Sequence, residues 1–279
     1  MSFVRIGAGA GAGVPHHVEV TGSGPVCVLS AGLGLAWFDW DAVVERLAPW
    51  RTVVRFDRPG AGLSGHARVA PTLVGEAGRI ARILDAVGLP GPATVVGHSL
   101  AGFHCEAFAR LFPARASGLV LADSSVEERP GARVPRGVRV GAARVCGAVL
   151  GGVGLPRAVG PVLRRVAVRG DLAGDLASAD AVRRVYGASR VWRGSLLEYA
   201  TYGDMAAELS ALRGELPLTG RLPVTVLAAY SGSGTRWLDR QRALAASLDA
   251  DFRVAAPSGH LLMRDAPGRV AEAVLATPR

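Results

Sequence analysis

The chain has 279 residues, 49% of them hydrophobic and 20% charged, enough for one large domain with a substantial buried core, which excludes a disordered chain. No uninterrupted apolar run approaches the roughly 18–20 residues that span a bilayer, which argues against an integral membrane protein. The formal charge of +9 is local: residues 129–193 carry 13 arginines against Asp171, Asp175 and Asp180, and the remainder holds 19 arginines and 20 acids.

The first thirteen residues offer one arginine but no apolar block before a cleavage-like site, so no secretion signal is expected. The alternating Gly/Ala of Gly7 to Gly13 reads as a flexible lead, and not as a dinucleotide loop, because no strand is expected before it. Short β-branched runs then alternate with helical patterns, and no repeat is found. Val18–Val20 and Val26–Ser30 read as strands, Trp37–Leu47 as a helix and Thr52–Phe56 as a strand. Thr72–Val87 reads as a helix with Ile80, Ile83, Leu84 and Val87 on one face, followed by strand Ala93–Val96, helix Leu100–Phe112 and strand Gly118–Ala122.

Beyond Ser124 come about ninety residues of Gly, Pro and Arg among weak helical patterns. The rhythm resumes with strand Val224–Ala228, helix Thr235–Leu248, strand Phe252–Val254 and helix Pro267–Leu275. Repeated strand and helix units imply an α/β fold: a mostly parallel, doubly wound sheet with helices on both faces. Residues 1–125 and 217–279 form its core, and 126–216 an inserted, mainly helical block over one end.

Cys27, Cys105 and Cys146 lie far apart and make neither a disulfide framework nor a CxxC metal pair, so reduced thiols and a cytoplasmic location are expected. The chain has no lysine or asparagine, and isoleucine only at 6, 80 and 83, so part of the arginine excess reflects a global skew. No nucleic-acid partner is expected, since the basic segment contains only Tyr186 and Trp192 as aromatics and no recognised module. Solvated surface charge is the first reading of that segment, and contact with an acidic membrane surface the second.

Ligands of such sheets sit beyond the carboxyl ends of the strands. Gly97-His98-Ser99-Leu100-Ala101-Gly102 follows one strand and opens a helix. A serine in a strand-to-helix elbow has its hydroxyl pushed clear of the backbone, which demands small residues two positions before it and two or three after it. Gly97, Ala101 and Gly102 meet that demand, and the Leu100 amide would face an oxyanion. The same pattern also describes a tight turn with a capping serine.

A serine nucleophile needs a base. His16 and His17 precede the first strand in this reading, His66 sits in a Gly-rich loop, and His98 and His104 belong to the elbow and its helix. His260, in Pro257-Ser258-Gly259-His260, follows the last strand and falls on the same sheet edge as Ser99. The base in turn needs a carboxylate. Asp123 directly follows strand Gly118–Ala122 and is the first choice; Asp239, inside the helix after Val224–Ala228, is its rival, and a turn aspartate is the bland reading of Asp123. A second oxyanion donor falls to Leu33, in Ser30-Ala31-Gly32-Leu33-Gly34 after the strand next door.

In combination these segments resemble the α/β-hydrolases that carry a lid, from about Val18 to Leu275. The matches are Ala31-Gly32-Leu33-Gly34, where that family often has His-Gly-x-Gly; Asp57-Arg58-Pro59-Gly60-Ala61-Gly62-Leu63-Ser64, similar to its Asp-Arg-Pro-Gly-x-Gly-x-Ser loop; the Ser99 elbow; and Ser258-Gly259-His260. Ala101 and Ala31 depart from the family's Gly and His, and its common acid after the penultimate strand is missing at Ser231 to Ser233. Some members place that acid one core strand earlier, which is Asp123 here.

The resemblance implies a serine hydrolase with Ser99 as nucleophile, His260 as base, Asp123 as acid and Leu33 and Leu100 as oxyanion donors, cleaving an ester-like bond of a small to medium hydrophobic substrate without metal or organic cofactor. Acyl transfer, C–C bond cleavage or non-catalytic ligand binding on the same fold stay open. The inserted block would be a lid, with Val145, Val149, Leu150, Val159 and Leu163 lining a substrate pocket or merely packing on the core, and Arg157, Arg164 and Arg165 on its outer face.

Overall fold

The computed structural model describes residues 2–6, 13–128, 130–168, 177–220 and 222–277. Most of the glycine-rich lead, and Asp171 and Asp175 of the basic segment, lie outside the described residues. In chain order the elements are β1 (Ser2–Arg5), β2 (Pro15–Thr21), β3 (Val26–Ser30), a 3-10 turn (Trp37–Trp40), α1 (Asp41–Leu47), β4 (Thr52–Phe56), α2 (Leu73–Ala86), β5 (Ala93–His98), α3 (Ala101–Leu111) and β6 (Ala116–Ala122). Then follow α4 (Arg136–Gly152), α5 (Leu155–Ala167), α6 (Ala179–Tyr186), α7 (Ser189–Glu215), β7 (Val224–Ala229), α8 (Arg236–Ser247), β8 (Asp251–Ala255), α9 (Leu262–Asp265) and α10 (Pro267–Leu275).

The strands form one sheet in the order β1-β2-β4-β3-β5-β6-β7-β8. β1 and β2 pair antiparallel, as do β2 and β4, and every pair from β4 across to β8 is parallel. Parallel neighbours need crossovers, and the crossover helices cover both faces. Leu73, Ile80, Ile83 and Leu84 of α2 join Phe103 and Phe108 of α3 on one side. Val43 and Leu47 of α1, Val270 and Val274 of α10 and Trp40 close the other. β5 is buried at every residue, as its unbroken apolar run requires, because a strand covered on both faces has no solvent side on which to alternate. Thr72 caps α2, its Oγ1 accepting from the Gly75 amide at 3.1 Å.

Two expectations near the N-terminus need correction. A strand, β1, does precede the glycine-rich lead; it is a four-residue edge strand, largely exposed and paired only with β2, so no apolar alternation announces it. The next described element is a strand, β2, and not the helix that a dinucleotide loop opens. His16 and His17 lie inside β2 and are fully buried, rather than ahead of it.

Helices α4 to α7 stand between β6 and β7, where the inserted block was expected. Leu197 and Ala200 of α7 pack on Ala143 of α4, while Met205, Ala206, Leu209 and Leu212 of the same helix join the main core with α3. Side-chain directions in this block depart from expectation: Val145, Val149 and Leu163 are exposed instead of lining a pocket, and Arg164 is buried instead of facing out. The cause is close packing through small residues. A Cβ on Gly147 would stand 2.7 Å from the Arg193 side chain, so α4 turns Ala143 and Gly147 inward and Val138, Val145 and Val149 outward.

From β3 the chain steps outward to β4 and then returns past β3 to β5. The gap beyond the carboxyl ends of β3 and β5 is therefore the topological switch point. Pairing Ser30 with Gly97, His98 with Ala122, Ala122 with Leu227 and Ala229 with Ala255 brings the loops after β3, β5, β6, β7 and β8 to one rim.

Candidate active site

Ser99 is the first residue after β5 and has φ 53°, a left-handed conformation that is sparsely populated by L residues and marks local strain. The turn closes through bonds from the Gly102 amide to the Ser99 carbonyl (2.9 Å) and from the Phe103 amide to the Leu100 carbonyl (3.1 Å). The small residues are needed: a Cβ on Gly97 would lie 2.4 Å from the Ala101 carbonyl oxygen, and one on Gly102 1.9 Å from Ser124 Oγ. Among the described residues, neither the Leu100 amide at the start of α3 nor the Leu33 amide donates to a protein acceptor. Two unspent donors thus stand on the loops flanking the switch point.

The Leu33 loop is held from behind. Arg58 donates to the Ala31 carbonyl and, at 3.0 Å, to the Gly32 carbonyl, while its Nε and Nη2 grip Glu198 of α7 at 2.5 and 3.0 Å. Both side chains are buried. Burial opposes the guanidinium charge, but Glu198 outweighs it and raises the Arg58 pKa above its ordinary value. With alanine at 31, this guanidinium takes over the orientation of the loop. A Cβ on Gly32 would meet His98 Nδ1 at 2.7 Å and Ser99 Cβ at 3.2 Å, so only glycine lets the loop reach the elbow.

Asp57 is an anchor of the neighbouring loop. Its carboxylate accepts from the Trp37 amide (3.0 Å), the Leu63 amide (3.0 Å) and His17 Nδ1 (2.9 Å). Ser64 Oγ donates to the Asp57 carbonyl at 2.6 Å. The Asp-Arg-Pro-Gly segment is therefore an orienting frame around the site.

Asp123, the first residue after β6, is buried with φ 44°. Its Oδ1 accepts from the Ala229 amide (2.8 Å) and Trp237 Nε1 (2.7 Å), and its Oδ2 accepts from His260 Nδ1 (2.6 Å). With Nδ1–H given to Asp123, the basic nitrogen of His260 is Nε2; the side chain is half exposed, at 52%. Asp239 is exposed on α8 and pairs with Arg242 at 2.9 Å, so the structure brings Asp123, not Asp239, against His260. Among the described residues, Ser99 and His260 share no hydrogen bond. They meet through His98, whose Nε2 donates to the His260 carbonyl at 2.8 Å and whose ring centroid lies 4.7 Å from that of His260. Burial first, and His260 second, push the His98 pKa well below its ordinary value, so it remains a neutral tie between the elbow and the His260 loop.

A cavity of about 330 Å³ opens beside His260, bounded by Asp123, Tyr230, Trp237, Leu238 and Ser258. Among the described residues, no cluster of three or more His, Cys, Asp or Glu side chains is arranged to hold a metal.

The Alpha/beta hydrolase family profile matches residues 27–273. The chain belongs to the alpha/beta hydrolase family. A relative from Azorhizobium caulinodans, provisionally named carbamate hydrolase RutD, is 34% identical over 106 residues, 38% of this chain and 39% of its own length. The chain thus spans about two fifths or less of the curated relatives it matches. Among solved structures, wild-type Cfl2 of Burkholderia cenocepacia superposes with a TM-score of 0.75 at 21% identity, covering 97% of this chain and 92% of that one. A thermophilic esterase of Thermogutta terrifontis, malate bound, superposes with a TM-score of 0.72 at 22% identity, covering 98% and 96%. At such identities these structures share the fold.

Within this alpha/beta hydrolase, sequence reasoning missed three contributors: Trp237, the Arg58–Glu198 clamp and the tie made by His98. The empty acid position after β7 was the available signal for Trp237, since an indole one helical turn further on is a donor that a displaced carboxylate can use. Nothing local signals Glu198, which lies 140 positions from Arg58.

Proposed function

We propose that this alpha/beta hydrolase is a serine hydrolase that cleaves an ester-like bond of a small to medium hydrophobic substrate. The observation that carries the reading is the Asp123 to His260 bond of 2.6 Å, made by a carboxylate whose other oxygen is already saturated by Ala229 and Trp237. A carboxylate so fixed holds the imidazole in one tautomer and stabilises its protonated form.

Ser99 Oγ attacks the substrate carbonyl as its proton passes to His260 Nε2. The tetrahedral oxyanion is held by the Leu33 and Leu100 amides, each such donor contributing about two to three orders of magnitude in rate. His260 then protonates the departing alkoxide. Water, deprotonated by His260, attacks the acyl-Ser99 carbonyl, and collapse releases the acid and returns the proton to Ser99. The names of the Azorhizobium relative and the Thermogutta structure, a carbamate hydrolase and an esterase, support carbonyl chemistry of this kind. Helices α4 to α7 act as the lid over the rim, fastened to the oxyanion loop by the clamp between Glu198 and Arg58.

The test is turnover of a panel of short-chain aryl esters by Ser99→Ala, with circular dichroism to verify folding. A loss of about three orders of magnitude or more is expected; turnover equal to wild type overturns the reading.

A further inference from the structure

Two helices of the inserted block, α4 and α5, turn apolar side chains to solvent. In α5, Arg164 points into the protein, bonds Asp39 and lies over the rings of Phe38 and Tyr186 at 5.9 and 5.3 Å. Val162, Leu163 and Val166 of the same helix are 53%, 52% and 52% exposed. In α4, the exposed Val138, Val145 and Val149 recur at helical spacing along one face and lead to Val153 just past its end. The positions between and beside them on that face are small, Gly141, Ala142, Cys146, Ala148 and Gly152, all exposed. A solvated helix face is ordinarily polar, and an apolar surface this continuous marks a contact with something else.

Charge indicates what that something is. From Arg136 to Ala167 the chain has six arginines and no acid. Beside the apolar face, Arg157, Arg165, Arg183 and Arg184 line a cavity of about 900 Å³ together with His66. Among the described residues, Arg157, Arg165 and Arg184 have no carboxylate partner, while Arg183 bonds Asp180. A second copy of the chain is disfavoured as the occupant, since a two-fold contact brings the same patch of each copy together and would set this arginine-bordered face against itself in a chain of charge +9. Apolar side chains bordered by guanidinium groups instead match the boundary between acyl chains and anionic headgroups. Among the described residues no single helix is long and apolar enough to cross a membrane, and α4 and α5 qualify only as a pair bent by 104°. With Arg164 pinned to Asp39 in the core, Val162, Leu163 and Val166 are held on the solvent side of α5.

We propose that the outer face of the α4–α5 elbow docks on an anionic phospholipid surface, with Val145, Val149, Val162 and Val166 entering the interface and Arg157, Arg165 and Arg184 taking lipid phosphate oxygens. The docking face, on α4 and α5, carries none of Ser99, Asp123 and His260, and the proposal is independent of the ester reading.

Flotation of the full chain with vesicles tests it, using phosphatidylcholine alone and phosphatidylcholine mixed with phosphatidylglycerol. The expected result is flotation with the mixed vesicles and little with the neutral ones, weakened by salt. The double variant V149D/V162D should abolish flotation while circular dichroism and turnover of a soluble ester are retained, and Arg157→Gln and Arg165→Gln should each weaken partition about fivefold. Failure to float with mixed vesicles overturns the proposal, as does flotation that V149D/V162D leaves intact. Thermal stabilisation by inorganic pyrophosphate without vesicle binding would give the arginines to a soluble anion instead. A concentration-dependent dimer dissolved by V149D/V162D would give the face to a second copy; either result overturns the lipid assignment.

Discussion

Asp123 owes its position to the ends of two strands. It leaves β6 at φ 44°, its amide donates to the Leu227 carbonyl at 2.7 Å, and its carboxylate receives the Ala229 amide, the Trp237 indole and the His260 imidazole. An amide in its place keeps the shape but can present a donor where His260 needs an acceptor, disfavouring the tautomer that bares Nε2. Asp123→Asn is therefore expected to lower kcat for ester hydrolysis by roughly three to four orders of magnitude, whereas Asp239→Asn, altering an exposed pair with Arg242, is expected to leave it within about twofold. Steady-state kinetics on one ester compares the two, and impairment by the second alone would remove Asp123 from the mechanism. The sequence kept both acids in play because strand ends are visible in it and the far partners of a carboxylate are not. Ser99 was more legible, since small residues at fixed offsets are a local requirement of the elbow.

At the scale of elements, the notable object is the clamp joining the Leu33 loop to α7 through Arg58 and Glu198. A buried ion pair is a weak source of net stability, but removal of one partner strands the other charge away from water. Glu198→Ala is expected to cost roughly 3–5 kcal/mol in urea unfolding. At temperatures where the variant stays folded, kcat should fall by as much as about two to three orders of magnitude as the Leu33 amide loses its aim. Wild-type stability and kcat would show that the loop is held by something else. Helix lengths and apolar faces were legible wherever burial is periodic, as in α2 with Ile80, Ile83 and Leu84. They were misleading in α4 and α5, because a pattern of valines and arginines gives the period of a helix without saying which side is turned in. Edge strand β1 was invisible for a related reason: four mostly exposed residues carry no pattern.

Across the whole molecule, the core stores several histidines in neutral form. Burial, then Arg79, lowers the His16 pKa to about 4, and burial, then Arg58, lowers that of His104 to about 3; His98 is depressed as well. A histidine whose folded pKa lies below its unfolded value near 6.5 binds fewer protons folded than unfolded, so stability is full above that value and falls as pH drops toward the folded pKa. Glu76, held down to about 2 by Arg79 against the cost of its burial, extends the loss below the ordinary carboxylate range. Unfolding free energy is expected to drop between pH 7 and pH 5, by on the order of 2 kcal/mol for each of His16, His98 and His104, and flat stability over that interval in denaturant titrations would contradict the neutral assignments. The doubly wound sheet was legible because its alternation of strand and helix is written along the chain, and the rim on which Ser99, Asp123 and His260 stand follows from that order. The distances across the rim were not, since they depend on register between strands far apart in sequence. The most direct measurement is reaction with a fluorophosphonate followed by peptide mass spectrometry. The account predicts a single phosphonyl adduct on the peptide carrying Ser99, formed about three or more orders of magnitude more slowly in His260→Ala; an unreactive Ser99, or an adduct that forms equally fast without the imidazole, would contradict it.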